Sequence, residues 1–191
     1  MNPILAAAPE PAVRRPRRAG GFTLVELMVT IAVAAIVVAL GVPSFLRTLA
    51  RHTLISQAEE LQDAVRMGRN EAMKRSGPVV LCRTEESNPS HCAGSGGNWQ
   101  TWVLFTDVAR SGAFAAGDAV LRQRQDASRR TTATSDAASI RFEATGIAHA
   151  DTGSAVFVLG ERGATDLTQQ RQVCVNPRGE VAIVVGDARC P

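Results

Sequence analysis

The stretch that decides the fold is Arg14-Arg15-Pro16-Arg17-Arg18-Ala19-Gly20-Gly21-Phe22-Thr23-Leu24-Val25-Glu26-Leu27. Four arginines precede two glycines, and an apolar run begins directly after them. Between residues 22 and 42, only Thr23, Glu26 and Thr30 are polar. At about 1.5 Å per residue, this run forms a helix of roughly 31 Å, close to the hydrocarbon thickness of a bilayer. Residues 22–42 are therefore predicted to span a membrane.

The charges before this run predict its orientation. Four arginines lie on the N-terminal side and only Glu10 opposes them, so this end is expected to stay in the cytoplasm while the rest crosses. A secretory signal peptide has the same order, but its apolar core is usually about 7–15 residues and its small residues follow the core. Here the core is longer and the small residues precede it. A single-pass anchor is the second alternative.

Glu26 argues against a simple anchor. An ionised side chain within an apolar helix costs about 2.5–3.5 kcal/mol on an insertion scale, so such a residue usually has a partner and a function.

The order Gly-Phe-Thr-Leu-x-Glu at residues 21–26, behind a basic segment, resembles the processing junction of the type IV pilin superfamily. The resemblance implies that residues 1–21 are a leader, which prepilin peptidase removes by cutting between Gly21 and Phe22. It further implies that Phe22 becomes the N-methylated N-terminus and that Glu26 pairs with such an amine during assembly. Removing either member of that pair would leave a lone charge in an apolar filament core.

Cleavage at this junction would change the charge of the chain. The 191 residues include 21 basic and 18 acidic side chains, for a net charge of +3. Four of the basic side chains and one acidic side chain lie in the leader, so the remaining 170 residues carry 17 of each sign. The mature chain therefore has no overall attraction to nucleic acid or anionic lipid.

The helix is predicted to continue to residue 76, where Gly77-Pro78 ends it. Pro43 is expected to kink it, because proline removes a backbone donor and clashes with the preceding turn. Beyond Pro43, apolar and small residues recur three or four positions apart and predict one face that packs on a domain. These residues are Leu54, Ala58, Leu61, Val65, Gly68 and Ala72.

After Pro78 the pattern changes to short strands separated by polar or glycine-rich turns. The predicted strands are residues 79–82, 99–105, 119–125, 140–142, 155–159, 172–175 and 181–185, and the predicted turns include 93–98 and 128–139. The fold class is therefore α+β: a long helix at residues 22–76 packed on a small antiparallel β-domain at residues 77–191. Trp99 and Trp102 are three apart in a predicted strand, so only one of them is expected to fill the core.

Four cysteines form two local pairs, Cys82 with Cys92 and Cys174 with Cys190. An even number in an exported domain favours disulfides over zinc, since no Cys-x-x-Cys is present. Pairing within each local pair closes short loops, and each bond would contribute about 2–4 kcal/mol. The other two connectivities and free thiols remain open from the sequence.

A second resemblance covers the domain. Residues 69–75 leading into 79–82, the Trp-rich segment 98–107, residues 140–142 with Gly146, and residues 173–176 with Gly179 resemble the GspH/FimT pseudopilin family.

This resemblance implies a minor pilin or pseudopilin of the FimT/FimU kind. Such a subunit is held in the inner membrane by a single span, with its C-terminal domain in the periplasm, and then enters a pilus or pseudopilus. The implied partners are prepilin peptidase, other minor pilins or pseudopilins and the major pilin. The favoured function is a type IV pilus subunit that helps to initiate or cap assembly, because the cysteine pairs suit an extracellular fibre. A type II secretion pseudopilin H remains the alternative.

No enzyme, catalytic residue, metal or cofactor is predicted. The chain has no Gly-x-Ser-x-Gly elbow and no phosphate loop, and its three histidines are scattered. Asp107 and Asp118 could bracket a cation, but turn-capping aspartates are commoner.

A DNA-binding minor pilin is the last alternative. DNA-binding FimT-like members carry Gly-Arg-x-Arg near the C-terminus, and the matching residues here are Gly179-Glu180-Val181-Ala182. The candidate contacts are Arg122, Arg124, Arg178 and Arg189. Acidic residues lie near these arginines, and arginines on a strand also guard sheet edges, so the sequence disfavours nucleic acid as a partner without excluding it.

Overall fold

The computed structural model describes residues 21–163 and 169–191, in which one helix, α1 (Leu24–Arg75), precedes eleven strands. The strands are β1 (Val79–Glu85), β2 (Asn88–Cys92), β3 (Gly97–Asn98), β4 (Trp102–Thr106), β5 (Val120–Arg124), β6 (Thr131–Ser135), β7 (Ser139–Phe142), β8 (Ala148–Ala150), β9 (Ala155–Glu161), β10 (Arg171–Val175) and β11 (Val181–Val185). The chain divides into one unit that ends at Pro43 and a second that begins at Ser44. The second unit contains the later part of α1 and all the strands.

Helix α1 has clear signals at both ends. The Thr23 hydroxyl accepts a hydrogen bond from the Glu26 N–H at 3.2 Å, so Thr23 caps the first turn. At the other end Ser76 has a positive φ of 51° and the Gly77 N–H donates to the Ala72 carbonyl at 3.2 Å, a left-handed stop. The helix is continuous through Pro43, and the predicted kink there stays a prediction.

The predicted face of the later part of α1 is buried. Every residue of that face is covered, and Ala50, Gln57 and Ala64 are buried with it. Gly68 allows the helix to approach closely there, because a Cβ at this position would lie 2.7 Å from the Phe142 ring. The helix therefore packs its small-residue face directly against the β-domain, as the sequence predicted.

The strands form two antiparallel sheets, whereas the sequence pattern gave no reason to expect more than one. The first has the order β5-β4-β1-β7-β8, with β2 added to β1, and the second has the order β11-β10-β9-β6-β3. One core is shared by the helix and both sheets, and it includes Leu61, Leu81, Ile140, Phe157 and Val173. Hydrophobic alternation locates strands but does not reveal which of them pair, so the division into two sheets was not visible in the sequence.

Two segments predicted as turns contain strands. Residues 128–139 include β6, and residues 93–98 end in β3, which pairs with β6. Strand β6 is rich in threonine, and its side chains alternate between buried and more exposed positions. Its polar composition resembles a loop, but pairing with β9 along four residues satisfies its backbone.

The expectation for the tryptophans was wrong. Both Trp99 and Trp102 are only 2% exposed and belong to the same core. Trp99 precedes β4 in an irregular segment, so the alternation of a strand does not apply to it. Its indole N–H donates to the Ala137 carbonyl at 2.7 Å, and its ring meets Phe157 edge-on.

Two disulfides connect neighbouring parts of the chain. Cys82 of β1 is bonded to Cys92 of β2, and Cys174 of β10 is bonded to Cys190 in the C-terminal tail. Cys82 and Cys92 belong to a second, smaller apolar cluster with Phe105 and Phe114, on the first sheet.

Candidate functional site

The most exposed apolar surface of the described chain is the first part of α1 with the residues before it. All residues from 21 to 42 are exposed, including large side chains such as Phe22, Ile31 and Leu40. In the described part of the chain, α1 is the one helix long and apolar enough to cross a membrane, by length and composition. An apolar surface of this extent is a site for lipid or for other apolar helices.

The predicted cleavage junction lies at the start of this surface. Gly21 and Phe22 are exposed and precede the helix, with no regular secondary structure. Residues 1–20, which make up nearly all of the predicted leader, lie outside the described residues.

Glu26 occupies the first turn of α1, and its side chain is exposed. Its N–H donates to the Thr23 hydroxyl, and the Leu27 N–H donates to the Thr23 carbonyl at 3.1 Å. A carboxylate in a first turn is favoured by the positive end of the helix dipole. Thr23 was not singled out from the sequence, although Thr23-x-x-Glu26 has the spacing of a capping box. Thr23 and Glu26 thus fix the first turn of α1 directly after Phe22, the residue on which cleavage would create a new amine.

An ion pair and a hydrogen bond from an arginine hold the later part of α1 on the domain. The Arg124 guanidinium of β5 donates to the Glu60 carboxylate of α1, and both side chains are largely buried. On the same helix the Arg69 Nε donates to the Gly146 carbonyl at 3.2 Å.

A buried chain of polar side chains joins α1 to the second sheet. The Thr131 hydroxyl of β6 donates to Gln57 Oε1 at 2.8 Å, and the Gln100 side-chain amide donates to the Thr131 carbonyl. Gln57 and Gln100 are each almost fully buried. Neither glutamine was predicted from the sequence; the signal for Gln57 is a polar residue directly before Ala58 on the buried face of an amphipathic helix.

The two aspartates considered as cation ligands cap a loop instead. Asp107 is fully buried and accepts hydrogen bonds from the Ser111 and Gly112 N–H groups at 2.8 and 2.9 Å. Asp118 accepts from the Val108 and Ala115 N–H groups, both at 2.8 Å. Among the described residues, no group of three or more His, Cys, Asp or Glu side chains could hold a metal ion.

The four candidate DNA-contacting arginines lie in three parts of the domain: a strand of the first sheet, the turn after β10 and the C-terminal tail. Arg122 and Arg124 lie on β5 of the first sheet, and the charge of Arg124 is paired with Glu60. Arg178 follows β10 of the second sheet, and Arg189 is exposed in the C-terminal tail.

Arg178 also has an acidic neighbour, since its Nε lies 3.5 Å from the Glu180 carboxylate. A hydrogen bond from the Asn176 amide, assisted by the charges of Arg178 and Arg69, holds the pKa of Glu180 below its usual range. The carboxylate therefore stays ionised, so this turn carries both signs of charge where a phosphate backbone would need a positive surface.

Comparisons with known proteins agree with this geometry. The family described as type II transport protein GspH matches residues 57–179, and the prokaryotic N-terminal methylation motif matches residues 16–42. No curated protein matches the chain.

The fold is similar to a crystal structure of the type IV minor pilin FimU from Pseudomonas aeruginosa, with a TM-score of 0.53 and 22% identity over 70% of this chain and 90% of that chain. A second crystal form of the same pilin has a TM-score of 0.48 at 21% identity, over 68% of this chain and 90% of that chain.

The methylation motif covers the junction and the exposed apolar segment, and the family match covers most of the buried face of α1 and most of the β-domain. Because that match spans more than half of the chain, this protein belongs to the GspH family, within the type IV pilin superfamily of structural filament subunits.

Proposed function

We propose that this protein is a minor pilin of a type IV pilus, a subunit that helps to initiate or cap filament assembly. The observation that carries the proposal is the exposed apolar segment at residues 21–42, with one exposed carboxylate, Glu26, in its first turn. A surface of this length is stable in lipid before assembly and among other apolar helices after it.

Processing would supply the partner for that carboxylate. Hydrolysis of the peptide bond between Gly21 and Phe22 releases the leader as a carboxylate and leaves a positively charged amine on Phe22. Methylation of this amine retains its charge. The Glu26 carboxylate of one subunit can then pair with the amine of a neighbour, because an unpaired charge in an apolar filament core is strongly disfavoured.

The β-domain would carry the contacts that distinguish this subunit from others. It is held on the later part of α1 by the Glu60–Arg124 pair and by close packing at Gly68. A domain fixed in this way presents its surface in a defined orientation relative to the later part of α1, which suits a subunit placed at one point of a fibre.

A type II secretion pseudopilin is the second candidate, since the matching family is described as a type II transport protein. The similar crystal structure is described as a type IV minor pilin, but at 22% identity this likeness shows the fold alone. The choice of the pilus rests on the two cysteine pairs, which suit an extracellular fibre.

Deleting the gene and measuring twitching motility and protein secretion in the same strain tests the proposal. Loss of motility with normal secretion is expected, and restoring the gene should restore motility. Loss of secretion with normal motility would instead assign the chain to the secretion system.

A further inference from the structure

The outermost strands in the two strand orders differ in how well they are protected against pairing with a further strand. Strand β5 carries Arg122 and Arg124 and has an irregular register. Strand β8 has three residues, and its Ala148 N–H already donates to the Pro177 carbonyl at 2.9 Å. Strand β3 has two residues. Charge, irregular pairing and short length are the features that keep edge strands from pairing with other chains.

Strand β11 has none of these features. Its sequence, Val181-Ala182-Ile183-Val184-Val185, contains no charge, proline or glycine. It pairs with β10 along all five residues without a register shift, and no described strand lies on its other side. In an antiparallel strand, alternate residues direct their N–H and C=O groups away from the neighbour. Among the described residues, the outer edge of β11 therefore combines backbone groups that pair with no strand and apolar side chains.

The C-terminal tail does not close this edge. Cys190 is bonded to Cys174 of β10, and the Cys174 side chain lies on the outer face of the sheet because Val173 and Val175 face the core. Within the described residues, no backbone hydrogen bond joins residues 187–191 to β11. The disulfide thus holds the tail over the outer face of the sheet, and in the described part of the chain neither a strand nor the tail backbone pairs with the outer edge of β11.

We propose that β11 is a docking strand, which pairs with an extended, uncharged segment of a neighbouring subunit in the same filament. The proposal rests on the proposed function, since it requires assembly. The added strand would bring its backbone groups to the free edge and its apolar side chains beside those of β11, as in other cases of β-strand addition. It would cover Val185, which is 56% exposed, and complete the burial of Val181 and Ile183, which already pack partly against the core.

The absence of charge defines the chemistry of the segment. A lysine or glutamate placed beside Ile183 or Val185 would lose hydration without gaining a partner on β11. A segment with small apolar side chains at alternate positions meets no such cost.

The size of the edge identifies the partner as a subunit already held in the same assembly. Five residues of strand span only about 17 Å, whereas a stable interface buries roughly 800 Å² on each partner. The edge alone is therefore too small to hold two free molecules together. The exposed apolar segment at residues 21–42 provides the larger contact when subunits assemble, and β11 adds a local, directional contact.

Cysteine accessibility in the full-length chain tests this arrangement. V185C places a thiol on β11, and V120C is the matched control on the protected strand β5, where Val120 is 45% exposed. Each variant is produced in cells that assemble the filament, and a maleimide is applied to sheared filaments and to membranes that hold unassembled chain. We expect V185C to be labelled at least about fivefold less in filaments than in membranes, because a docked strand excludes water. V120C should be labelled equally in both fractions.

A charge at the same position gives a second measurement. V185K should lower incorporation into filaments severalfold, whereas V120K should not. Equal labelling of V185C in the two fractions, equal protection of both thiols, or wild-type incorporation of V185K would overturn the proposal. Absence of the wild-type chain from filaments is a separate outcome, because it contradicts the proposed function and the docking strand together.

Discussion

Gly68 of α1 lies against the ring of Phe142 on β7, so closely that a Cβ at position 68 would be 2.7 Å from Cε2 of the ring. Both residues are buried, and the Leu104 side chain closes the same space from β4. A glycine in the interior of a helix normally weakens it by about 1 kcal/mol relative to alanine. Here the close approach of helix and sheet explains why glycine is present.

Replacing Gly68 with valine should therefore destabilise the domain. Overpacking of a filled core typically costs about 1–3 kcal/mol, so G68V should lower the free energy of unfolding by that amount. Denaturant unfolding of the full-length chain in detergent measures it. The matched control is S56V, which introduces the same residue at an exposed position of the same helix, and it should change stability by less than about 0.5 kcal/mol. Equal effects of the two substitutions would contradict the packing interpretation.

The ion pair between Glu60 and Arg124 should couple the helix to the first sheet. Their side chains are 26% and 19% exposed, so solvent screens the pair only partly. A double-mutant cycle with E60Q and R124M is expected to give a coupling energy of about 1–2 kcal/mol. Asp63 and Arg66 provide the control pair on the same helix, with exposures of 59% and 57%, and their coupling should be below about 0.5 kcal/mol. Similar coupling in both pairs would show that burial does not strengthen the first.

The mature protein is expected to begin at Phe22. Mass spectrometry of the chain purified from membranes should give the mass of residues 22–191 with a methylated amine. A different N-terminus would contradict the assignment of the junction.

Glu26 is expected to act after this cleavage. E26Q should be processed normally but recovered from sheared filaments at a much lower level, because the amine of a neighbouring Phe22 would lack its partner. T30V, a polar-to-apolar change in the same segment, should leave incorporation unchanged. Loss of processing in E26Q would place the residue in peptidase recognition instead.

The turn after β10 should respond to acid. The hydrogen bond from Asn176 and, to a smaller extent, the charge of Arg178 lower the pKa of Glu180 below its ordinary value of 4.5. The ionised form of Glu180 therefore stabilises the folded turn. This stabilisation is present above pH 4.5 and is lost as the pH falls through the lower pKa of the folded state.

The difference in thermal stability between wild type and E180Q should accordingly disappear in acid. In an N176A background the same substitution should have a smaller effect at pH 7. A difference that persists unchanged in acid would contradict this account.

DNA binding is expected to be weak. A gel shift with the full-length chain in detergent should show no band that depends on Arg122 and Arg124, because Arg124 is already paired with Glu60. Binding that weakens with salt and is abolished by R122A/R124A would overturn this expectation.

The sequence predicted features that depend on local patterns. The extent of α1, its buried face and most strands followed from periodicity, from Gly77-Pro78 and from apolar composition. Strand β6 was missed because its threonines resemble a loop until β9 satisfies their backbone groups.

Features that depend on contacts between residues far apart in the sequence could not be predicted from such local patterns. The ion pair from Glu60 to Arg124 joins residues 64 positions apart, and the hydrogen bond from Thr131 to Gln57 joins residues 74 apart. The burial of Trp99 also depends on such a contact, since its partner Phe157 lies far along the chain on β9. The free edge of β11 became visible only when the order of the sheets was known.

The two disulfides are consecutive along the chain and do not interleave, since Cys82 is bonded to Cys92 before Cys174 and Cys190 appear. In the proposed orientation, with the N-terminus held behind in the membrane, the first two thiols would reach an oxidising compartment together and the last two would follow. An oxidase that joins cysteines in order of appearance would make both native bonds. The maturation of this subunit is therefore expected to require an oxidant but no disulfide isomerase.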